Sequence, residues 1–424
     1  MPDWSVRLND LAVAADVTGA VLGIWHDGET TIVPYGILNS TTRTPTTADS
    51  LFQLGSVSKP WTASMIVQLA AEGRIDLDDT IVKLLPEAPV DNRITVRHLL
   101  THTSGIDGDL FTDTGRGDDC LERYVALLAD ADQLFEPGTA YSYCNAGFVL
   151  LGRLIEVLDN RTWDESLRAR LIQPLGLTHT VTLPEEALLH NAAVGHLATD
   201  GARVHTWQLP RSIGPAGTIT ASAADLLEFA KLHLTERYAA MQEPQVPFAG
   251  GIGGFVDLGL TWRVYDWGGR TIIGHDGSTI SQLAFLRIDP EARLAMCLLT
   301  NSGNGTRLFE PLATQIFQPY VGVGHPAPPQ PVQAPVNGRH EGRFERAGIR
   351  LDVTLREDRL FMLEQATGDR LAFAEEPVHE YELLPTEPLD GDHFVTRYSP
   401  AHPWVPLTFT PAHLFTSGRV TPRR

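Results

Sequence analysis

The segment that decides the fold is Phe52-Gln53-Leu54-Gly55-Ser56-Val57-Ser58-Lys59-Pro60-Trp61. Lys59 is one of only three lysines among 33 basic residues, so the chain meets almost every other need for a cation with arginine. A shielded lysine can lose its proton and act as a base, which arginine cannot do. Residues three apart on a helix share a face, so the Lys59 amine can reach the Ser56 hydroxyl. The two residues are therefore a candidate nucleophile and base.

The largely apolar segment 60–73 predicts a helix, with Gly73 as its stop. Because proline fits only the first turn of a helix, Pro60 places Ser56 at or just before the N-terminus. The positive end of the helix would then help to stabilise an oxyanion beside Ser56. In the alternative interpretation Ser56 is a helix cap and Lys59 a surface charge, and the motif by itself does not decide between the two.

Size and composition narrow the class of protein. A chain of 424 residues exceeds what one core usually supports, so two domains are expected. The net charge of −19 argues against a nucleic-acid or anionic-membrane partner. The N-terminus has no signal-peptide pattern and no long apolar run suggests a membrane span, so a cytoplasmic location is expected. Three scattered cysteines fit neither a disulfide framework nor a zinc site, and we expect no metal and no cofactor.

The order of predicted elements indicates an α/β fold in which the beginning and the end of the first domain share a sheet. The pattern of residues 18–36 predicts a hairpin that turns at His26-Asp27-Gly28. Thr95 is predicted to cap the N-terminus of a short helix. Segment 106–120, rich in Gly and Asp, predicts a long surface loop. Helices are predicted over 121–130, 146–159, 163–171 and 223–234, and three strands over 259–266, 270–274 and 282–299.

The pattern changes after residue 321. Residues 322–338 contain five prolines and predict a stiff extended linker. Residues 339–424 show short alternating segments typical of strands and no helical period. The chain thus divides into a first domain over 1–321, a linker over 322–338 and a small all-β domain, a candidate barrel, over 339–424.

Two further segments contain chemistry that a serine nucleophile needs. In Tyr143-Cys144-Asn145 the phenol and the amide point the same way if the backbone is extended, and a nearby lysine would lower the phenol's pKa. The alternative is a core tyrosine followed by a helix cap. In Gly274-His275-Asp276-Gly277-Ser278 an imidazole lies at a strand end, and the Ser278 N–H can join that of Ser56 as an oxyanion donor. The alternative there is a tight hairpin that happens to carry a histidine.

In this order, Ser56-x-x-Lys59, Tyr143-x-Asn145 and His275-x-Gly277 resemble the three motifs of the penicillin-recognising serine enzymes. These comprise class C β-lactamases, DD-peptidases and related esterases and D-aminopeptidases. Connecting segments extend the resemblance over about residues 10–320. It implies a β-lactamase/DD-peptidase-like fold, an antiparallel sheet flanked by helices plus an all-helical region.

The resemblance also implies roles for the motif residues. Ser56 would attack a carbonyl while Lys59 and Tyr143 share its proton, and Tyr143 would later protonate the leaving group. Asn145 would orient the substrate amide and Lys59. Gly277 allows the substrate to approach. His275 stands where β-lactamases have a carboxylate-binding lysine, as in the esterases and D-aminopeptidases, so efficient hydrolysis of β-lactams is not expected.

The C-terminal domain resembles the lipocalin-like domain of some family members, and segments 115–120 and 142–145 are similar to penicillin-binding-protein-type thioesterases. Those enzymes take a peptide with a D-residue from a carrier-protein thioester and cyclise it. Under this resemblance Arg419 would bind the carboxylate of an incoming peptide; the alternative is a solvated C-terminal tail. Three hypotheses remain: a hydrolase of small-molecule or peptide esters and D-aminoacyl amides, a peptide-cyclising thioesterase, and an idle binding protein. The oligomeric state stays open.

Overall fold

The strands before residue 46 and those between residues 246 and 300 form one antiparallel sheet in the computed structural model, which describes residues 3–248, 252–372, 374, 376–400 and 402–424. The strands up to residue 300 are β1 (Gly19–His26), β2 (Glu29–Asn39), β3 (Thr44–Pro45), β4 (Phe52–Gln53), β5 (Thr180–Val181), β6 (Thr220–Ala221), β7 (Val246–Pro247), β8 (Phe255–Leu258), β9 (Arg263–Trp267), β10 (Arg270–Ser278), β11 (Leu283–Asp289) and β12 (Leu294–Thr300). The nine-stranded sheet has the order β3-β2-β1-β12-β11-β10-β9-β8-β7, and β4, β6 and β5 form a small second sheet.

Helices cover both faces of the large sheet. They are α1 (Trp4–Ala15), α2 (Ser58–Ala71), α3 (Ile81–Leu84), α4 (Val96–Leu100), α5 (Cys120–Ala126), α6 (Asn145–Asp159), α7 (Trp163–Leu167), α8 (Pro184–Ala187), α9 (Gly214–Gly217), α10 (Ala223–Leu232) and α11 (Gly305–Val321). α1 and α11 pack on one face and the remaining large helices lie on the other. Coverage of both faces explains why every residue of β12 is buried and why its sequence shows no alternation.

The predicted hairpin and the predicted helix after Ser56 are both present. β1 and β2 pair through the turn at Asp27 and Gly28. α2 ends at Ala71, and Gly73 follows in the left-handed conformation. A 3₁₀ turn over Gly55–Val57 precedes α2 and places Ser56 just before the helix, as Pro60 requires. The Thr95 side chain caps α4 as predicted.

Two strand predictions were wrong in their bounds. The apolar run 282–299 is two strands, β11 and β12, because Pro290 to Arg293 turn the chain between them and Arg293 takes a left-handed conformation. Both strands are buried on both faces, which hid the turn in a continuous apolar pattern. The predicted strand 259–266 begins only at Arg263, since residues 259–262 form the turn after β8.

The C-terminal domain is a nearly closed barrel of eight antiparallel strands paired in sequence order. They are β13 (Gly342–Arg346), β14 (Ile349–Arg356), β15 (Arg359–Ala366), β16 (Val378–Pro385), β17 (His393–Thr396), β18 (Val405–Phe409), β19 (His413–Thr416) and β20 (Arg419–Pro422). A single bridge, Phe344 to Arg423, brings the first and last strands together. Residues 323–337, before the barrel, form no regular element.

Buried side chains fill the barrel interior, among them Phe344, Leu351, Leu360, Leu407 and Leu414. Eight strands enclose a space that side chains can fill completely. The barrel therefore packs as a core. No helix in the described part of the chain is both long and apolar enough to cross a membrane.

The close approach of α6 and α9 gives a stability prediction. A Cβ added at Gly152 would lie 2.7 Å from the Pro215 Cβ, whereas one at Gly147 of the same helix would meet only ordinary contacts from 3.5 Å. We expect Gly152→Ala to lower the free energy of unfolding by about 1–3 kcal/mol, as overpacking does, and Gly147→Ala to leave it nearly unchanged. Urea denaturation of both variants measures the difference, and a Gly152→Ala variant as stable as Gly147→Ala would contradict the packing.

Candidate active site

The turn before α2 and the first turn of α2 bring Ser56 and Lys59 together. The Lys59 amine donates to the Ser56 hydroxyl over 3.0 Å and to the Ala216 carbonyl, at α9, over 2.8 Å. The side chain of Lys59 is fully buried. Its nitrogen lies 4.7 Å from the centroid of the Tyr143 ring and 5.7 Å from that of Phe148. The alternative of a surface charge does not fit this lysine.

The electrostatic surroundings favour the neutral amine of Lys59. Burial is the largest effect and the charge of Arg419 the second, and together they lower the pKa of Lys59 well below that of an ordinary lysine. The Asp109 carboxylate opposes them. By contrast, Lys83 and Lys231 form ion pairs with Asp79 and Glu228 at the surface. Only the lysine of the Ser-x-x-Lys motif is therefore in position to act as a base.

Tyr143 lies over Lys59, but its phenol differs from the expectation. Burial raises the pKa of Tyr143, and this outweighs the lowering by the Ser56 hydroxyl and the charges of Arg263 and Arg419. The sequence prediction that a neighbouring lysine lowers this pKa is therefore wrong, because the site is dry and the lysine is neutral. A neutral phenol is a proton donor and relay rather than a base. The Tyr143 hydroxyl is buried without a hydrogen bond of standard geometry among the described residues.

Asn145 is the first residue of α6, directly after the cap Cys144. Its amide nitrogen donates to the Asp109 carboxylate over 2.9 Å. The expected contact with Lys59 is replaced by this bond, since Lys59 donates to Ser56 and Ala216. Asn145 therefore lies in the site, held from behind by an acid.

His275 lies within β10 and is almost fully buried. Its Nδ1 is 2.7 Å from the Asp276 carbonyl, and a carbonyl only accepts, so Nδ1 carries the proton and Nε2 the lone pair. Burial first, and then the charge of Arg263, lower the pKa of His275 well below its usual value. The ring centroids of His275 and Tyr143 are 6.3 Å apart. His275 is therefore a neutral imidazole whose Nε2 can accept a proton or a hydrogen bond.

The backbones of β10 and of the turn at Ser56 approach each other closely. A Cβ at Gly277 would lie 2.9 Å from the Ser56 nitrogen, and one at Gly55 would lie 2.6 Å from the Ser278 nitrogen. Glycine at both positions permits this approach, and Gly55 also has a left-handed conformation. The amides of Ser56 and Ser278 are thus neighbours, as a pair of oxyanion donors requires.

Arg419 belongs to β20 and not to a solvated tail. Its guanidinium carbon is 4.7 Å from the Tyr143 ring centroid, and its side chain is about one fifth exposed. The two-residue turn Ser417-Gly418 before it has positive φ at both positions, as in a type I′ hairpin. The Gly418 carbonyl accepts the Tyr143 N–H over 2.9 Å. This hairpin of the barrel forms one wall of the site.

Sequence reasoning missed three neighbours of the site. Asp109 lies in the segment predicted as a surface loop, yet residues 101–109 are buried, and barrel residues contact the carboxylates of Asp107 and Asp109. Arg263, opposite Gly274 in the sheet, adds a second guanidinium whose charge acts on Lys59. His102 packs on the Tyr143 ring at 4.3 Å and accepts the Cys144 N–H over 3.0 Å. The residues around Asp109 in the sequence do not indicate that this aspartate is buried in the site.

The described residues include no group of three or more His, Cys, Asp or Glu side chains placed to hold a metal ion. The chemistry that they do support is proton transfer and nucleophilic attack. A serine hydroxyl beside a neutral amine, a neutral phenol above both, and two backbone amides together can form and break an acyl-enzyme.

Comparison with known proteins agrees with this geometry. The family model described as Beta-lactamase matches residues 9–320. Penicillin-binding protein 4 of Amycolatopsis lactamdurans is 39% identical over 368 residues, which cover 80% of this chain and 97% of the relative. The crystal structure of SurE with D-Leu is 30% identical in sequence and superimposes with a TM-score of 0.79. The match covers 99% of this chain and 98% of the SurE chain. D-aminopeptidase of Brucella anthropi is 29% identical, covering 61% of this chain and 51% of the relative.

The neutral amine of Lys59 gives a prediction that does not depend on the natural substrate. A fluorophosphonate should label Ser56, and the labelling rate should rise with pH through a limb well below the pKa of an ordinary lysine, because the base must be deprotonated. We expect Lys59→Arg to reduce labelling by roughly 10²–10⁴-fold, the usual contribution of a general base, since guanidinium stays charged. Intact-mass spectrometry follows the adduct. The surface variant Lys83→Arg is the control and should label at the wild-type rate.

Proposed function

This chain belongs to the beta-lactamase family, whose members include penicillin-binding proteins and D-aminopeptidases, and we propose that it is a serine acyl-enzyme hydrolase or acyltransferase. Its substrates under this proposal are esters, thioesters or D-aminoacyl and peptidyl amides. The observation that carries the proposal is the 3.0 Å bond between a fully buried Lys59 amine and the Ser56 hydroxyl. A binding protein without catalytic activity does not require a neutral lysine beside a serine hydroxyl.

The proposed reaction uses each group in the protonation state that its surroundings favour. Neutral Lys59 takes the Ser56 proton as the oxygen attacks the substrate carbonyl, and the amides of Ser56 and Ser278 stabilise the oxyanion. Tyr143 donates its proton to the leaving group and recovers one from the Lys59 ammonium. In the second half a water or an amine loses its proton to the same relay and attacks the acyl-enzyme. As the bond between the acyl carbon and the Ser56 oxygen breaks, the relay returns that proton to Ser56, and both Lys59 and Tyr143 are neutral again.

The surroundings of His275 narrow the substrate class. A neutral imidazole occupies the position that holds a lysine in β-lactamases, so the carboxylate of a β-lactam would meet no charge there. The cations of this site are arginines placed elsewhere, Arg263 and Arg419. We therefore propose slow turnover of β-lactam antibiotics. A D-configured acyl residue is supported by the likeness to SurE, which was crystallised with D-Leu, and to a D-aminopeptidase.

A finer candidate is a stand-alone thioesterase that takes a peptide ending in a D-residue from a carrier protein and cyclises it. One observation favours it over simple hydrolysis. Arg419 keeps part of its guanidinium available: Nε and Nη2 face Asp109 and one Nη1 proton faces Ser417, which leaves one proton on each terminal nitrogen for an acceptor's carboxylate.

One experiment separates the candidate functions. The protein is incubated with a synthetic peptidyl N-acetylcysteamine thioester that ends in D-leucine, and products are identified by mass spectrometry. We expect an acyl adduct on Ser56 and a cyclic product. A linear acid would favour the hydrolase, and the absence of any adduct would favour the binding protein. Ser56→Ala should lose both adduct and product while keeping its thermal unfolding temperature, and near-wild-type turnover in that variant would overturn the scheme.

The role proposed for Arg419 is tested with a competing acceptor. A dipeptide with a free carboxylate and the same dipeptide as its amide are offered as amines to the acyl-enzyme. We expect wild type to prefer the free acid and Arg419→Met to lose that preference by roughly 10- to 100-fold, the worth of a charge-assisted bidentate bond. Because the measure is a ratio between two acceptors, a general loss of activity in the variant cancels. An unchanged ratio would exclude this role for Arg419.

A further inference from the structure

We propose that Asp109 is a positioning residue for acyl transfer, whose single carboxylate fixes both Asn145 from the first domain and Arg419 from the barrel beside Tyr143. This inference rests on the proposed function, since it concerns the Ser56 site. It adds a residue that touches no reacting group and that joins the two domains exactly where the substrate must lie.

The carboxylate of Asp109 is buried and fully used. Its Oδ1 accepts from the Asn145 amide over 2.9 Å and from Arg419 Nη2 over 3.1 Å. Its Oδ2 accepts from Arg346 Nη1 over 2.7 Å and lies 2.6 Å from Arg419 Nε. Three hydrogen bonds and one further ion-pair contact, from three residues, surround the two oxygens, so a change at Asp109 affects all three partners together.

Asp109 is held in its charged form. Burial by itself would favour the protonated acid, but the charges of Arg419 and Arg346 lower the pKa of Asp109 well below its usual value. Two guanidinium groups share this one carboxylate inside the protein, where an unpaired charge is costly. Loss of the carboxylate would leave both arginines buried and mutually repelling, and the Arg419 guanidinium would lose the partner that fixes its orientation beside Tyr143.

Asp109 also restrains the direction of the Arg419 guanidinium. One hydrogen bond, from Nη2 to Oδ1, and one ion-pair contact, of Nε with Oδ2, join the two groups at both carboxylate oxygens. The backbone supports the same arrangement, because Val420 N–H donates to the Ser142 hydroxyl over 3.2 Å. The side chain of Arg419 has several rotatable bonds, so the position of its backbone in the hairpin does not by itself fix the position of its guanidinium.

Asp107, two residues earlier, offers a matched comparison. Its carboxylate accepts the Ala347 N–H of the β13–β14 turn over 2.7 Å and lines a cleft of about 510 Å³ between the domains. Asp107 and Asp109 therefore both attach the same loop to the barrel. Only Asp109 continues to Asn145 and Arg419. A variant at each position separates the effect of docking the domains from the effect of positioning the site.

The proposal also has a consequence for the pH profile. The titratable or charged side chains that act on or contact Lys59 come from several elements: Asp109, Arg263, Arg419, Cys144, Tyr143, His102 and His275. Asp109 is the carboxylate among them and favours the protonated amine, whereas the guanidinium groups disfavour it. Removal of the Asp109 charge should therefore lower the pKa of Lys59 further. The acid limb of the rate, which follows deprotonation of Lys59, should move to lower pH.

The experiment compares wild type, Asp109→Asn and Asp107→Asn as full-length proteins. Each is labelled with a fluorophosphonate across the pH range, and each is assayed for kcat/KM on the D-leucine-terminated peptidyl thioester. For Asp109→Asn we expect a roughly 10- to 100-fold lower kcat/KM, since two charge-assisted contacts are lost, together with an acid limb displaced to lower pH. Asp107→Asn should keep the wild-type limb and lose much less turnover.

Equal effects of the two variants on both measurements would overturn the proposal, because Asp109 would then act only through domain docking. A wild type that the fluorophosphonate does not label would refute the proposed function itself, and this inference with it. Circular dichroism and thermal unfolding check that the variants fold. If Asp109→Asn does not, the double variant Asp109→Asn/Arg346→Gln, which removes one charge of each sign, is compared with Arg346→Gln alone and carries the same expectation.

Discussion

The burial of one amine, that of Lys59, is the constraint on which the rest of this site depends. An ammonium group withdrawn from water is unfavourable unless it is neutralised or fully paired. Among the described residues, Lys59 has a hydroxyl and one carbonyl as hydrogen-bond partners and two aromatic rings beside it. These partners come from the turn before α2, from α9, and from α6 and the segment that leads into it, and their packing around the amine excludes water from the base.

The distribution of arginines strengthens the same constraint. Two triads flank the site, each with one aspartate between two arginines. In the sheet, Asp276 lies 2.9 Å from Arg263 and 2.6 Å from Arg287. At the domain interface, Asp109 lies between Arg346 and Arg419. Each triad has one positive charge in excess, so the field at Lys59 favours a neutral amine and also favours the anion that forms at the carbonyl.

The sequence indicated the parts of the site that have a local pattern. Ser56 and Lys59 are three apart at the start of a helix, Tyr143 lies two residues before another, and His275 lies among glycines, and these residues were predicted because the three motifs together, in this order, resemble those of a known family. Asp109 could not be found in this way, since its partners are 36, 237 and 310 positions away and nothing near it suggests burial.

The same limit explains the errors in the fold and in the chemistry. A turn between two strands buried on both faces looks like one long strand, as at residues 290–293. The expected direction of the Tyr143 pKa was wrong because sequence shows which groups are near but not how little water remains. Arg419 looked like part of a tail because its strand pairs only once the barrel has formed.

The barrel contacts the first domain through its rim. Among the described residues, side chains of the barrel itself pack together in its interior. Two of its turns do reach the first domain: Ala347 binds Asp107, and Gly418 binds the backbone of Tyr143. A nearly closed barrel leaves few free strand edges. Its last hairpin brings the backbone of Arg419 to the first domain, and under our proposal the Asp109 carboxylate then fixes the direction of the guanidinium.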